Sequence, residues 1–338
     1  MKATLQRAKR RLFTSPRVAF VALILGIPLL IGVGTVLSLS SSSREVRGTG
    51  EQLFAGNLQG TPQTVTQTAY LPLIVKNFCP AASERMPLGI QMLAEVDDPA
   101  AITLAHEGGA HWTRTGLSWA AIEPTNTDPT NFNWTTYDQR FVNLAAAGLT
   151  PIVIIGNNPP WAAEYPCGPI TDTNLLDFAD FLTALVSRYK DPPYNVKYWE
   201  LYNEPDCGDP IHHWGGCWGN DGDKYAAMLQ GAYPAIKGAD PEAKAVFGGL
   251  AYDFFESDPQ DGPFVESFLD DVLIAGGGDY FDVIIFHYYE FWKWRWEGEY
   301  NCSGVRGMGV TCKVAYLRNI LATYGLSKPI FCTELSRW

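Results

Sequence analysis

The chain has 338 residues, enough for one α/β barrel of about 250 residues plus an N-terminal extension. A hydrophobic content of 46% excludes disorder over most of the length. A net charge of −11, with no extended basic stretch after residue 17, excludes nucleic acid as a partner.

At the amino terminus, Lys2, Arg7, Lys9, Arg10, Arg11 and Arg17 precede an uncharged run from Val18 to Leu37. That run has the length a helix needs to cross a bilayer, and the basic residues place it with positive charge on the cytoplasmic side. Residues 1–17 are read as a cytoplasmic segment and 18–37 as an uncleaved signal-anchor, so the remainder is extracellular at the cell membrane. A cleaved signal and a secreted protein are the alternative. Residues 38–85, rich in Ser, Thr and Gly, read as a linker, interrupted by the short apolar piece Tyr70 to Phe78.

From residue 86 the chain alternates short apolar runs with stretches of helical period. The runs are Leu88 to Met92, His111 to Trp119, Thr150 to Asn157, Lys197 to Glu204, Ala243 to Ala251, Phe281 to Tyr289 and Pro329 to Glu334. Tyr137 to Ala147, Leu175 to Tyr189 and Tyr225 to Ile236 are helical. Strands alternating with helices, apolar on both faces, predict a parallel sheet. A doubly wound sheet would accept seven strands, but no Gly-x-Gly-x-x-Gly follows the first strand and no phosphate loop is present. The predicted fold is α/β: a (β/α)8 TIM-type barrel over 86–338 in which the eighth unit is not seen. A truncated reading frame, or a partner supplying the unit, would account for that.

The seven cysteines include two pairs of matching spacing, Cys207 with Cys217 and Cys302 with Cys312. Each is expected to close a Gly-rich loop as a disulfide, as suits an exported chain; metal binding is the alternative, although neither pair has zinc-site spacing. Cys332 reads as a small buried hydrophobe. No cofactor and no metal are expected, and the oligomeric state is left open.

Polar and aromatic residues gather at strand ends: Arg114 and Trp119, Asn157 and Trp161, Asn203 and Glu204, His287 and Tyr288, and Glu334. Each alone could be structural. Their recurrence at the same end of five strands is what one rim carrying an active site requires. Tyr198-Trp199-Glu200-Leu201-Tyr202-Asn203-Glu204 reads as a strand stopped by Pro205, which leaves Glu204 at its tip. Two carboxylates flanking a bond suit glycoside hydrolysis. On the apolar strand Ile330-Phe331-Cys332, Glu334 needs Arg114 and a hydroxyl such as that of Tyr288 to stay ionised, while the like charge of Glu334 would keep a proton on Glu204. Strict alternation points Asn203 and Glu204 to opposite faces, so a twist or bulge must bring both to the rim. Glu200 reads as structural. Trp292 and Trp294, in Phe291-Trp292-Lys293-Trp294-Arg295-Trp296, could form a sugar-stacking wall or pack elsewhere. The loop from Cys207 through Trp214 to Cys217 and Trp218 could form the opposite wall or be decoration.

Tyr198-Trp199-Glu200-Leu201-Tyr202-Asn203-Glu204-Pro205 resembles the fourth-strand signature of the clan A retaining glycoside hydrolases. Phe331-Cys332-Thr333-Glu334-Leu335-Ser336 is similar to their seventh-strand nucleophile motif, and Phe286-His287-Tyr288-Tyr289 to their sixth-strand segment. The resemblance implies Glu204 as acid/base, Glu334 as nucleophile, Asn203 on the sugar 2-hydroxyl, Arg114 beside the nucleophile, and His287 and Tyr288 in support. The sixth-strand segment offers two tyrosines for the nucleophile. The eighth strand, which in the family brings a Trp to the floor of the sugar site, is not seen. The expected activity is retaining cleavage of β-glycosidic bonds in a carbohydrate substrate. A non-catalytic carbohydrate-binding protein on the same scaffold is the alternative, and a metal-dependent hydrolase is disfavoured by the scarcity of clustered His.

Overall fold

The computed structural model describes residues 88–208, 216–252, 264–289 and 309–336. Seven strands form one sheet in sequence order: β1 (Gly89–Gln91), β2 (Trp112–Ser118), β3 (Thr150–Gly156), β4 (Tyr198–Asn203), β5 (Lys244–Leu250), β6 (Val283–Tyr289) and β7 (Ile330–Ser336). Every neighbouring pair is parallel. Each crossover carries a helix: α1 (Pro99–Glu107), α2 (Trp119–Ile122) with α3 (Thr135–Ala146), α4 (Leu175–Tyr189), α5 (Gly222–Ala239), α6 (Phe268–Ile274) and α7 (Gly309–Thr323). β7 curls back towards β1, so the sheet is a nearly closed barrel with alternating helices. Six of the seven expected apolar runs contain one of these strands in full; β7 starts inside the seventh, Pro329 to Glu334, and runs past it to Ser336.

The helices form where the sequence supplies one apolar stripe. On α4, Phe178, Phe181, Leu182, Leu185, Val186 and Tyr189 are buried at helical spacing, each worth about 2 kcal/mol of apolar burial. Their rings pack on Trp119 and Trp134. α1 starts at Asp98, whose carboxylate accepts from the Ala100 N–H at 2.9 Å, with Pro99 in the first turn.

The strands divide their side chains between two cores. Trp199, Leu201, Phe247, Ile284 and Phe286 face outward into the large core beneath the helices. Val246, Val283 and Ile285 form a smaller inner cluster, against which Tyr198 and Phe331 pack. This alternation decides which polar residues enter the barrel interior.

The expected Cys207–Cys217 disulfide is corrected: Cys217 is bonded to Cys167, across a sequence separation of 50. The Cys217 N–H donates to the Cys167 carbonyl at 3.1 Å, which brings the two Cα atoms to 5.3 Å. Two neighbouring strand-to-helix loops are thus stapled, where spacing along the chain had suggested closure of a single loop. Cys207 is buried, with its N–H given to the Glu204 carbonyl. The expected anchor at 18–37, the linker at 38–85, the loop residue Trp214, and Cys302, Trp292 and Trp294 lie outside the described residues. Among the described residues no helix is long and apolar enough to cross a membrane.

Candidate active site

β4, β6 and β7 bring Asn203, Glu204, His287 and Glu334 together towards the carboxyl ends of the strands, and β2 adds Arg114 from its third residue, short of the strand end expected for it. Two departures from regular strand geometry make this convergence. Tyr202 and Glu204 have φ of 64° and 45°, in the left-handed region. With Tyr202 turned outward, its ring packs on Trp218 and its hydroxyl bonds Asn158, so Asn203 and Glu204 both face the interior. Conformations of this kind cost about 1–3 kcal/mol each and persist where the surroundings enforce them. Here the Tyr202 carbonyl presses on Gly248 of β5, where a Cβ would overlap it. The second departure is on β7. Ile285 pairs with Phe331 and Phe286 with Cys332, but His287 pairs with Glu334, so the register skips Thr333. That bulge turns Glu334 onto the inner face, opposite His287.

Glu204 accepts from or donates to His287 Nδ1 at 2.8 Å, and His287 Nε2 lies 3.5 Å from Glu334 Oε1. Glu204, His287 and Glu334 each present one atom within 4.8 Å of the others. The two carboxyl groups therefore face each other across a narrow gap, with His287 against both. His287 fits because β5 carries Gly249 beside it; any Cβ there would overlap the imidazole. All three groups are largely buried.

Arg114 organises the other side. Its Nη1 donates to Glu334 Oε1 at 2.6 Å and to Gln91 Oε1 at 2.9 Å. Nε and Nη2 donate to the two oxygens of Glu200 at 2.7 and 2.6 Å, and Nη2 also donates to Asn203 Oδ1 at 2.5 Å. Burial disfavours its charge, but Glu200 and Glu334 outweigh that and raise its pKa above the ordinary value. Burial likewise pushes Glu334 towards protonation. The charges of His287 and Arg114, with hydrogen bonds from Tyr289 and Arg114, prevail and bring its pKa down to about 2. Glu334 is therefore ionised across the neutral range.

The tyrosine at Glu334 is Tyr289, whose hydroxyl donates to Oε2 at 2.6 Å. The expectation for Tyr288 is corrected: on β6 it alternates outward with Phe286 and lies in the large core. Trp119 is corrected as well. It is fully buried among Trp161, Phe178 and Phe181, its indole N–H donating to Glu123 at 2.8 Å, so no ligand can reach it. Trp161, half-buried, stands edge-on to Trp119 after β3. Asn157 is exposed in the left-handed region at φ 56° and donates to Ser118 Oγ at 2.6 Å. Asn157 bonds Ser118 and Trp161 bonds the Glu123 carbonyl, so both stand at the rim beside the carboxylate pair and not on it.

Sequence reasoning passed over Gln91, Gly249 and Asp206, left Tyr288 and Tyr289 as alternatives at the nucleophile, and assigned Glu200 no part in the site. Alternation on β6 carried a signal for Tyr289, because Val283, Ile285, His287 and Tyr289 share one face. Asp206 is buried, accepts from the Ala251 and Tyr252 N–H groups at 2.9 and 2.8 Å, and is pushed up to about 6 by that burial.

Glu204, His287 and Glu334 are the described residues that could offer a cation three ligand atoms. Both Glu334 oxygens already accept hydrogen bonds, and the Arg114 guanidinium at 2.6 Å would repel a cation. The donor set fits an acid–base pair better than a metal.

A nearly closed parallel barrel with two facing carboxylates at its carboxyl rim is the architecture these observations define. Solved structures of glycoside hydrolases are similar to it. A family 39 glycoside hydrolase from Bacteroides cellulosilyticus matches 60% of this chain and 38% of its own at 23% identity and a TM-score of 0.44. A monomeric β-xylosidase from Caulobacter crescentus matches 60% and 41% at 19% identity and 0.45. A glucosidase from Croceicoccus marinus matches 70% and 46% at 20% identity and 0.47. The chain thus spans less than half the length of each of these proteins. No protein-family model matches the sequence, and no curated protein does. At these values the function is read from the site's own geometry.

Proposed function

We propose that the protein is a retaining β-glycosidase in which Glu334 is the nucleophile and Glu204 the acid/base. The observation that supports this reading most is the approach of the two carboxyl groups, with atoms within 4.8 Å. Retention needs carboxyl groups about 5–5.5 Å apart, whereas inversion needs about 6.5–9.5 Å to admit a water.

In the first step a Glu334 oxygen attacks the anomeric carbon while Glu204 gives its proton to the departing glycosidic oxygen. The carbon–oxygen bond to the leaving group breaks as the glycosyl–Glu334 ester forms. In the second step Glu204 takes a proton from water, whose oxygen attacks the same carbon and releases Glu334. His287 steadies Glu204, and Tyr289 and Arg114 hold Glu334 ionised and aimed. Asn203 presents its amide to the hydroxyl beside the reacting carbon. The substrate class is a β-linked carbohydrate, with Trp161 and Asn157 at the rim. From the basic amino terminus and the uncharged run that follows, we place the domain on the outer face of a membrane.

The test is a panel of aryl β-glycosides with azide rescue. Glu334→Ala should lose at least about 1000-fold in kcat, and azide should restore turnover to a glycosyl azide of inverted anomeric configuration. Turnover of every active substrate at the unmutated rate by Glu334→Ala would end the proposal.

A further inference from the structure

Glu200 takes part in none of the proton or bond transfers above, yet it is wholly buried at the centre of the site's hydrogen bonds. A guanidinium has five N–H donors fixed in one plane, and Arg114 uses all of them. Two go side-on to Glu200, one to Gln91, one to Glu334 and one to Asn203. The bidentate contact fixes the plane of the group and its rotation about the Nε–Cζ bond. Glu200 is itself held: it stands on β4 and its Oε1 lies 3.3 Å from the Gly249 N–H of β5.

We propose that Glu200 is a positioning residue that, through Arg114, sets the direction of both the Glu334 carboxylate and the Asn203 amide. The inference rests on the glycosidase reading for its consequence in catalysis, though not for the contact itself. With the guanidinium plane locked by Glu200 and Gln91, the remaining Nη1 and Nη2 hydrogens have one direction each. Nη1 meets Glu334 Oε1. Nη2 meets Asn203 Oδ1, which settles the orientation of that amide and leaves Nδ2 as the donor for a sugar hydroxyl. Glu200 also balances the Arg114 charge, so the ion pair with Glu334 is not the only anionic contact holding the guanidinium. The groups facing Glu334 are Arg114 from β2, Glu204 from β4, and His287 and Tyr289 from β6. Of these, Arg114 is the group that bonds the Asn203 side chain.

Glu200→Gln keeps the volume but offers one acceptor where the guanidinium needs two, and sets an amide N–H against an Arg114 N–H. The first measurement is nitrogen-15 NMR of the arginine side chains, with Arg114→Lys assigning the signals. In the wild type, Arg114 should show separate, slowly exchanging Nη1 and Nη2 resonances. In Glu200→Gln they should coalesce while thermal unfolding stays cooperative. The second is kinetics on the aryl β-glycoside cleaved fastest by the wild type. There kcat should fall about 100-fold, as for a misplacement near 1 Å, with KM within about twofold. Gln91→Leu, a milder variant outside the core of the pair, should move both readouts the same way by less. Separate Nη signals persisting in a folded Glu200→Gln would overturn the proposal, as would coalesced signals with kcat unchanged. A wild type inactive on every glycoside would overturn the glycosidase reading alone, and the NMR result would still decide whether Glu200 positions Arg114.

Discussion

Replacing Tyr289 with Phe removes one hydrogen bond to Glu334 Oε2, 2.6 Å long, and leaves the ring in place. A hydrogen bond to an ionised acceptor is worth about 1.5–3 kcal/mol, and one pH unit corresponds to about 1.4 kcal/mol. The Glu334 pKa, about 2 in the intact site, should therefore rise by about one to two pH units. A nucleophile must be ionised, so activity is lost as pH falls through its pKa, and the acid limb of kcat/KM should move upward by the same amount. The assay is initial rates against pH on an activated aryl β-glycoside, with circular dichroism at each pH to separate titration from acid unfolding. Tyr288→Phe is the control: its hydroxyl lies on the outer face of β6, so its acid limb should stay where the wild type has it. A limb that moves with Tyr288→Phe and not with Tyr289→Phe would refute the assignment of faces on β6 and the electrostatics of Glu334 with it.

Cys167→Ser opens a staple across 50 residues and should lower stability by up to about 4 kcal/mol, read as a fall in Tm. Peptide mapping of the unreduced protein should recover Cys167 joined to Cys217, and a Cys207–Cys217 peptide would contradict the loop arrangement. Asp206 has a folded pKa of about 6 against an ordinary 3.8, so the folded state holds the extra proton and stability falls as pH rises from about 4 to about 6. Asp206→Asn should flatten that dependence by up to about 3 kcal/mol while keeping an acceptor for Ala251 and Tyr252; an unchanged pH dependence of urea midpoints would refute it. Gly249→Ala places a methyl group against the His287 ring and should cost about 1–3 kcal/mol with loss of activity; wild-type stability and rate would contradict the packing.

Near-continuous apolar runs announced all seven strands, because strands covered on both faces need Val, Ile and aromatic residues throughout. The carboxylate positions were legible for a local reason: Pro205 ends β4, and the run Ile330-Phe331-Cys332 fixes β7. Local pattern could not show that Tyr202 adopts a left-handed backbone or that β7 skips Thr333, since both depend on what the neighbouring strands present. The disulfide failed for the same reason, being decided by which loops lie side by side. Trp119 misled because a strand-end tryptophan reads alike whether it faces the cleft or the core, and the ring stripe of α4 decides which. Glu200 was passed over because its role exists only through Arg114, on another strand.

Everything proposed about catalysis turns on one covalent bond. Incubation with activated 2-deoxy-2-fluoro-β-glycosides, followed by mass spectrometry of the digested protein, should find a glycosyl group esterified to Glu334 in the wild type and none in Glu334→Gln. A label carried by another residue, or sustained turnover of the parent glycosides with Glu334 never labelled, would contradict the account.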